Sequence, residues 1–117
     1  MKEALQSFPA LLKDGRILIP TDEMPKGHRP LYRPDVAARR TAVGEDRDGR
    51  LVFAVTDTYT DGLTFSELAT LLAGLGLENV VCLDGGGSTQ LVIDTTKFQR
   101  EVPGKDPVPV VVGIRSR

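Results

Sequence analysis

Asp84-Gly85-Gly86-Gly87-Ser88 stands between the apolar run Val80-Val81-Cys82-Leu83 and the run Leu91-Val92-Ile93. A carboxylate beside three consecutive glycines could hold and attack a substrate. Without side chains in the way, several backbone N–H groups of such a loop can converge on an anion. The same stretch also reads as a hairpin loop between two strands, and composition does not separate the two readings. Two sharper motifs are excluded. A dinucleotide-binding or P-loop motif needs a helix straight after its glycines, and the second also needs Gly-Lys-Ser/Thr, whereas here a strand pattern follows and the loop has no Lys. A nucleophile elbow fails because Ser88 is followed by Thr89 and Gln90, and the lone His28 lies in a proline-rich stretch. Ser88 is therefore a poor nucleophile and a better ligand for a phosphate or sugar oxygen.

The elements that must position this loop are well punctuated. "ALQSFPALLKDGRILIP" reads as two extended runs joined at Lys13-Asp14-Gly15-Arg16, because Asp-Gly supplies the positive φ of a hairpin turn. Pro20, Pro25, Pro30 and Pro34 then exclude helix and central strand over a long loop. Lys26, His28, Arg29, Arg33 and Arg39 make that region basic, either as solvated charge or as a flap over a substrate. Residues 40–57 form a second hairpin around Asp48-Gly49. Thr64-Phe65-Ser66-Glu67 matches a capping box, with Leu63 and Leu68 placed for a hydrophobic staple, so a helix should start at Phe65. Leu68, Leu71, Leu72 and Leu75 make one apolar stripe, and Gly76 stops the helix. "ENVVCLD" reads as a buried strand that completes a β-α-β crossover, while "TQLVIDTT" and "VPVVVGIR" supply further strands. The expected fold is α+β: a mixed, largely antiparallel sheet of hairpins with one crossover and one main helix, about residues 65–75, on one face. Asp84 then lies at the carboxyl end of a central strand, where open sheets tend to put their ligands.

Bulk properties narrow the function. A chain of 117 residues fits a single domain, 1–117. The 15 Lys and Arg nearly cancel the 16 Asp and Glu, and two Tyr, four Phe and no Trp offer no stacking platform, so no nucleic-acid partner is expected. The apolar runs are too short to span a bilayer, and Glu3 and Asp14 interrupt any signal-peptide pattern. The chain as written is expected to stay in the cytoplasm, or to be exported if it is a fragment of a longer precursor. Cys82, the single cysteine, sits in an apolar run as a buried, inert side chain with no internal disulfide. Asp84, Asp57 and Asp61 do not have calcium-loop spacing, so neither metal nor cofactor is assigned.

"LDGGGST", preceded by "TDGLTFSELATLLAGLGLENV" and "RRTAVG", resembles the phosphodiester glycosidase family. Gln6, Pro9, Leu11 and Gly15 match its Gln-x-x-Pro-x-Leu segment and the Gly that ends it. Arg40, Thr41, Ala42 and Gly44 match its Arg-Thr-Ala-x-Gly strand, Asp57 its strand-end Asp, Gly62 and Thr64 its helix start, and Leu83 through Ser88 its glycine loop. The terminal "VPVVVGI" resembles the family's closing strand. Cys82, Thr58 and Thr89 depart from the usual Asn, Gly and Ser. Family domains normally carry a further N-terminal portion, so the chain resembles the later part of such a domain.

The resemblance implies cleavage of a glycosyl phosphodiester at the sugar C1–O bond, in polysaccharide, cell-wall or glycolipid material. Such cleavage expels a phosphate monoester whose second pKa is about 6, so charge stabilisation outranks general acid catalysis. Arg40, Thr41, Gly85, Gly86, Gly87 and Ser88 are then the phosphate-binding residues. Asp84 is the carboxylate at the oxocarbenium-like centre, as nucleophile or as base for water, and Asp57 the second carboxylate. Plainer roles stay open: Arg40 as a surface residue paired with Glu45 or Asp46, and Asp57 as a turn acceptor. A non-catalytic sugar-phosphate-binding module, or a partial domain completed by a partner chain, is the alternative. An unpaired sheet edge would favour a homo-oligomer.

Overall fold

The computed structural model describes residues 7–19, 36–57 and 61–116. The proline-rich loop around Lys26, His28, Arg29 and Arg33 lies outside these residues, as do Gln6 and Thr58.

Turn chemistry builds both expected hairpins. β1 (Ala10–Lys13) and β2 (Arg16–Ile17) are joined by Asp14 at φ 49° and Gly15 at φ 76°, both in the left-handed region that an Asp-Gly turn supplies. β3 (Thr41–Asp46) and β4 (Leu51–Val55) close around Gly49. The Asp46 carboxylate pins this turn by accepting from the amides of Asp48 and Arg50, each at 2.9 Å, and from Arg50 Nε at 2.7 Å. Helix α1 (Phe65–Gly74) begins with the full capping box: Glu67 N–H donates to Thr64 Oγ1 at 3.2 Å, and Thr64 N–H to Glu67 Oε2 at 2.7 Å. Leu75 caps its C-terminus and Gly76, at φ 89°, turns the chain into β5 (Leu77–Cys82).

These strands form one sheet in the order β2-β1-β5-β3-β4, in which every hydrogen-bonded pair is antiparallel. β4-α1-β5 is the expected β-α-β crossover. Its two strands run parallel because both are antiparallel to β3, which lies between them. β5 is the central strand. The core gathers Leu11, Leu12, Ala42, Leu77, Val80 and Cys82 of the sheet under Phe65, Leu68, Ala69 and Leu72 of α1, with Leu63 packed against them. At Gly44 the backbones of β3 and β5 crowd together: a Cβ there would lie 2.6 Å from the Asn79 carbonyl oxygen.

Three expectations need correction. The buried stripe of α1 is Phe65, Leu68, Ala69 and Leu72, not Leu68-Leu71-Leu72-Leu75; Leu71 and Leu75 are 52% and 68% exposed. Both sets have helical spacing, and the capping box turns Phe65 inward, which rotates Leu71 and Leu75 out. The strand expected in "TQLVIDTT" exists as β6 (Leu91–Asp94), but it pairs with β7 (Gln99–Val102), which the sequence reading did not anticipate, in a separate two-stranded sheet. "VPVVVGIR" forms no strand: Val110, Val111, Val112 and Ile114 are exposed and find no ladder partner among the described residues, and an apolar run without a neighbouring edge cannot make a sheet.

The two overlapping stripes make a direct test. Leu72→Ala removes a side chain 2% exposed and should cost about 2–5 kcal/mol, whereas Leu71→Ala should stay within about 0.5 kcal/mol, both read from urea unfolding. Equal losses would mean that the helix is rotated from the orientation described.

Candidate functional site

The loop from Asp84 to Ser88 does not connect paired strands. β5 pairs only with β1 and β3 among the described strands, and β6 only with β7, so the loop carries the chain from the five-stranded sheet to the second one. The hairpin reading is thereby answered in the negative. The loop is instead sewn to the segment leading into β3. Leu83 N–H donates to the Thr41 carbonyl at 2.8 Å, and Gly86 N–H to the Arg39 carbonyl at 2.7 Å. This docking explains Gly85, where a Cβ would sit 2.7 Å from the Arg39 carbonyl oxygen. At Gly87 the space for a Cβ is taken by the Asp106 carboxylate, and the Gly87 carbonyl accepts from the amides of Lys105 and Asp106 at 2.8 and 3.0 Å. Gly86 to Ser88 make a single 3₁₀ turn.

The amides are therefore partly committed. Gly85 N–H donates to the Asp84 side chain at 3.0 Å, and Gly86 N–H to Arg39, which leaves Gly87 as the glycine of the three whose amide has no such bond among the described residues. Asp84 itself is exposed. Ser88 is half-buried, and the Thr41 hydroxyl donates to the hydroxyl of fully buried Thr89 at 3.3 Å, joining β3 to the far end of the loop. Thr41, Asp84 and Ser88 come together on one cavity of about 400 Å³. Phe53, Val55, Leu83, Gln90, Leu91 and Val108 through Val112 line it too, with Ser7.

Arg40 and Asp57 are placed elsewhere. Alternation along β3 puts Ala42 on the helix side and Thr41 on the opposite side, and Arg40 follows Ala42. Its Nε donates to the Leu63 carbonyl at 2.9 Å and its Nη2 to the Val36 carbonyl at 2.7 Å, while the guanidinium lies 3.8 Å from the centroid of the Phe65 ring. Arg40 therefore clamps the start of α1 and makes no ion pair with Glu45 or Asp46; Asp46 belongs to Arg50. Burial lowers the Arg40 pKa from its ordinary value, opposed by the nearby Cys82. A bidentate phosphate grip by Arg40 would require giving up its two carbonyls. Asp57 accepts from Arg100 Nη2 at 2.6 Å, an ion pair that ties β7 to the end of β4. Its register is that of a strand-end carboxylate, on the Thr41 side of the sheet.

Sequence reasoning missed Gln90, Phe53 and Val55 as cavity walls, and Arg100 as the partner of Asp57. Strand alternation around the Asp48-Gly49 turn could have put Phe53 and Val55 on one face; nothing local pointed to Arg100. Arg39 was read only as part of a basic loop, yet it is 8% exposed. No group of three or more His, Cys, Asp or Glu that could hold a metal occurs among the described residues. No helix among them is long and apolar enough to cross a membrane.

Comparison with known proteins agrees with the motif pattern. The sequence profile of the phosphodiester glycosidase family matches residues 1–115. The N-acetylglucosamine-1-phosphodiester alpha-N-acetylglucosaminidases of Mus musculus and Homo sapiens are 41% and 39% identical over 64 residues, which is 53% of this chain and 12% of theirs. The zebrafish catalytic domain of the same name, solved auto-inhibited by its pro-peptide, superposes with a TM-score of 0.60 and 32% identity over 74% of this chain and 31% of that one. A hypothetical protein from Synechocystis superposes with a TM-score of 0.55 and 26% identity over 71% of this chain and 15% of that one. The chain thus spans about an eighth of the length of the curated relatives it matches.

Two measurements test this geometry. Gly85→Ala should lower stability by roughly 1–3 kcal/mol, because the Cβ meets a backbone carbonyl that cannot step aside; an unchanged urea midpoint would mean that the loop does not dock on Arg39. Burial pushes the Cys82 thiol from 9.0 up to about 11, against the pull of Arg40. The folded state therefore holds this proton more tightly than the unfolded one. The resulting contribution, at most about 3 kcal/mol, is complete below pH 9 and is lost as pH rises through 11. The urea midpoint of wild type should fall more steeply across that window than that of Cys82→Ala.

Proposed function

The chain belongs to the phosphodiester glycosidase family, and on that premise we propose that it hydrolyses a glycosyl phosphodiester at the sugar C1–O bond. The observation that carries the reading is the cavity where exposed Asp84 meets the hydroxyl residues Ser88 and Thr41. An exposed carboxylate beside an apolar-walled cavity is suited to face an oxocarbenium-like sugar carbon, as nucleophile or as base for water. The departing phosphate monoester, with its second pKa about 6, leaves without strong protonation, so hydrogen-bond donors suffice to stabilise it. Ser88 and the Gly87 amide are the donors assigned to it, while Thr41, whose hydroxyl donates to Thr89, lines the cavity beside them. Gly85 and Gly86 serve by shaping the loop; Arg40, which holds the start of α1, and Asp57, held by Arg100, lie outside the cavity lining and are given no step.

The curated relatives are named for removing N-acetylglucosamine from a 1-phosphodiester. For this chain we assign the same bond class, with the sugar phosphate carried on polysaccharide, cell-wall or glycolipid material. The walls Phe53, Val55, Leu83 and Leu91 suit the apolar face of a sugar ring or an apolar aglycone. A second reading, a sugar-phosphate-binding module completed by a partner chain or a second copy, is favoured by one observation. Val110, Val111, Val112 and Ile114 present exposed apolar side chains in a segment without a ladder partner among the described residues.

The deciding experiment is hydrolysis of a chromogenic glycosyl phosphodiester panel by the purified chain and by Asp84→Asn, with mass in solution measured by light scattering. Asp84→Asn should lower turnover at least 100-fold, by the scale of lost transition-state charge stabilisation, with an unchanged unfolding midpoint. Binding of sugar phosphate without turnover by wild type would sink the hydrolase reading in favour of the binding module.

A further inference from the structure

Arg39 is the residue that neither the fold nor the proposed chemistry accounts for. Its side chain is 8% exposed, and Nε, Nη1 and Nη2 are all buried with no hydrogen-bond partner among the described residues. A guanidinium carries five N–H donors and no acceptor, so these donors call for acceptors from elsewhere. A buried charge without a counter-ion is among the costliest arrangements a fold can hold. Its neighbour Arg40 spends its donors on two main-chain carbonyls; Arg39 spends none. Asp57, which the β3–β4 register carried two residues on puts opposite Arg39, is engaged by Arg100.

Position supplies the second half of the inference. Arg39 is the residue onto which the glycine loop is docked: its carbonyl takes the Gly86 amide at 2.7 Å, and only a glycine at 85 lets the loop come this close. Thr56 N–H donates to the Arg40 carbonyl, one main-chain bond beyond β3, and Arg40 N–H donates to the Thr56 hydroxyl. Strand alternation carried two residues back from Thr41 would put Arg39 on the Thr41 face, although Arg39 itself does not line the cavity there. Thr41 and the loop residues Asp84 and Ser88 line the cavity on that face.

We propose that Arg39 is a buried anion-binding residue whose ligand is the phosphate of the substrate, gripped bidentately by the planar guanidinium beside the Gly85–Ser88 loop. This assignment rests on the glycosyl phosphodiester reading for the identity of the anion, and moves the bidentate role from Arg40 to Arg39. A phosphate supplies the two in-plane acceptors that a guanidinium fork matches. Lys offers a point charge and cannot reproduce that match. Binding neutralises the buried charge, so phosphate must stabilise the folded chain by mass action.

The test is thermal unfolding of the full chain with and without millimolar inorganic phosphate at matched ionic strength, for wild type, Arg39→Met and Arg39→Lys. Phosphate should raise the wild-type midpoint. Arg39→Met, which keeps most of the apolar stem, should unfold no earlier than wild type without phosphate and should lose the phosphate shift. Arg39→Lys, which serves even if the Met variant does not fold, should bind phosphate at least tenfold more weakly by titration. No wild-type shift, a full shift in Arg39→Met, or unchanged affinity in Arg39→Lys would each overturn the site. Hydrolysis separates the two readings. Turnover with a phosphate shift indifferent to Arg39 refutes only the Arg39 site, while a shift lost in Arg39→Met with no turnover by wild type refutes only the hydrolase reading.

Discussion

Two backbone hydrogen bonds, from Leu83 to Thr41 and from Gly86 to Arg39, hold the end of β5 against the segment that leads into β3. They extend the central ladder beyond the last paired residues, Ala42 and Cys82, and carry the glycine loop across the Arg39 carbonyl. Everything proposed for the site depends on this seam. It sets Asp84 at the surface, brings Ser88 and Thr89 round to Thr41, and starts the path toward the second sheet. Glycine at 85 is required by contact with a backbone atom, a constraint that no rotamer change can relieve.

Charge is distributed across the seam in an unequal way. Arg40 and Arg39 are adjacent in sequence and unlike in their partners. The first faces the helix, where Phe65 and the carbonyls of Leu63 and Val36 receive it. Its charge lies near Cys82, whose thiol burial nevertheless holds in the protonated form to about pH 11. The second has its donors unspent. A chain that keeps one guanidinium satisfied and its neighbour bare has put cationic charge where an incoming anion gains most from it.

The second sheet and the chain that follows it connect to this arrangement through one ion pair and two main-chain turn bonds rather than through a ladder. Arg100 of β7 reaches Asp57 at the end of β4, and the Gly87 carbonyl takes the amides of Lys105 and Asp106. These bonds lead the chain to Val108–Val112, which line the cavity. The cavity is thus lined both by the main sheet and by a segment that lacks a strand partner among the described residues. That segment is where a second chain would most readily add.

What the sequence determined by itself is what local chemistry decides. Asp14-Gly15 and Gly49 specify turns by φ, Thr64 and Glu67 specify a helix start by two reciprocal bonds, and Gly76 ends that helix. Those marks, with the apolar run before Asp84, were enough to read an α+β fold and a carboxylate at the end of the central strand, while the family came from the resemblance carried by "LDGGGST" and "RRTAVG". Tertiary structure alone decided the rest. A helical repeat cannot say which of two overlapping stripes is buried, so Leu71 and Leu75 were legible as apolar and not as exposed. Strand alternation says that Arg39 and Arg40 face opposite ways and not which of them meets the helix. Ladders join residues distant in sequence, so neither the pairing of β6 with β7 nor the bond from Arg100 to Asp57 leaves a local trace. Conformational preferences are properties of a few neighbouring residues, whereas burial and pairing belong to the assembled sheet.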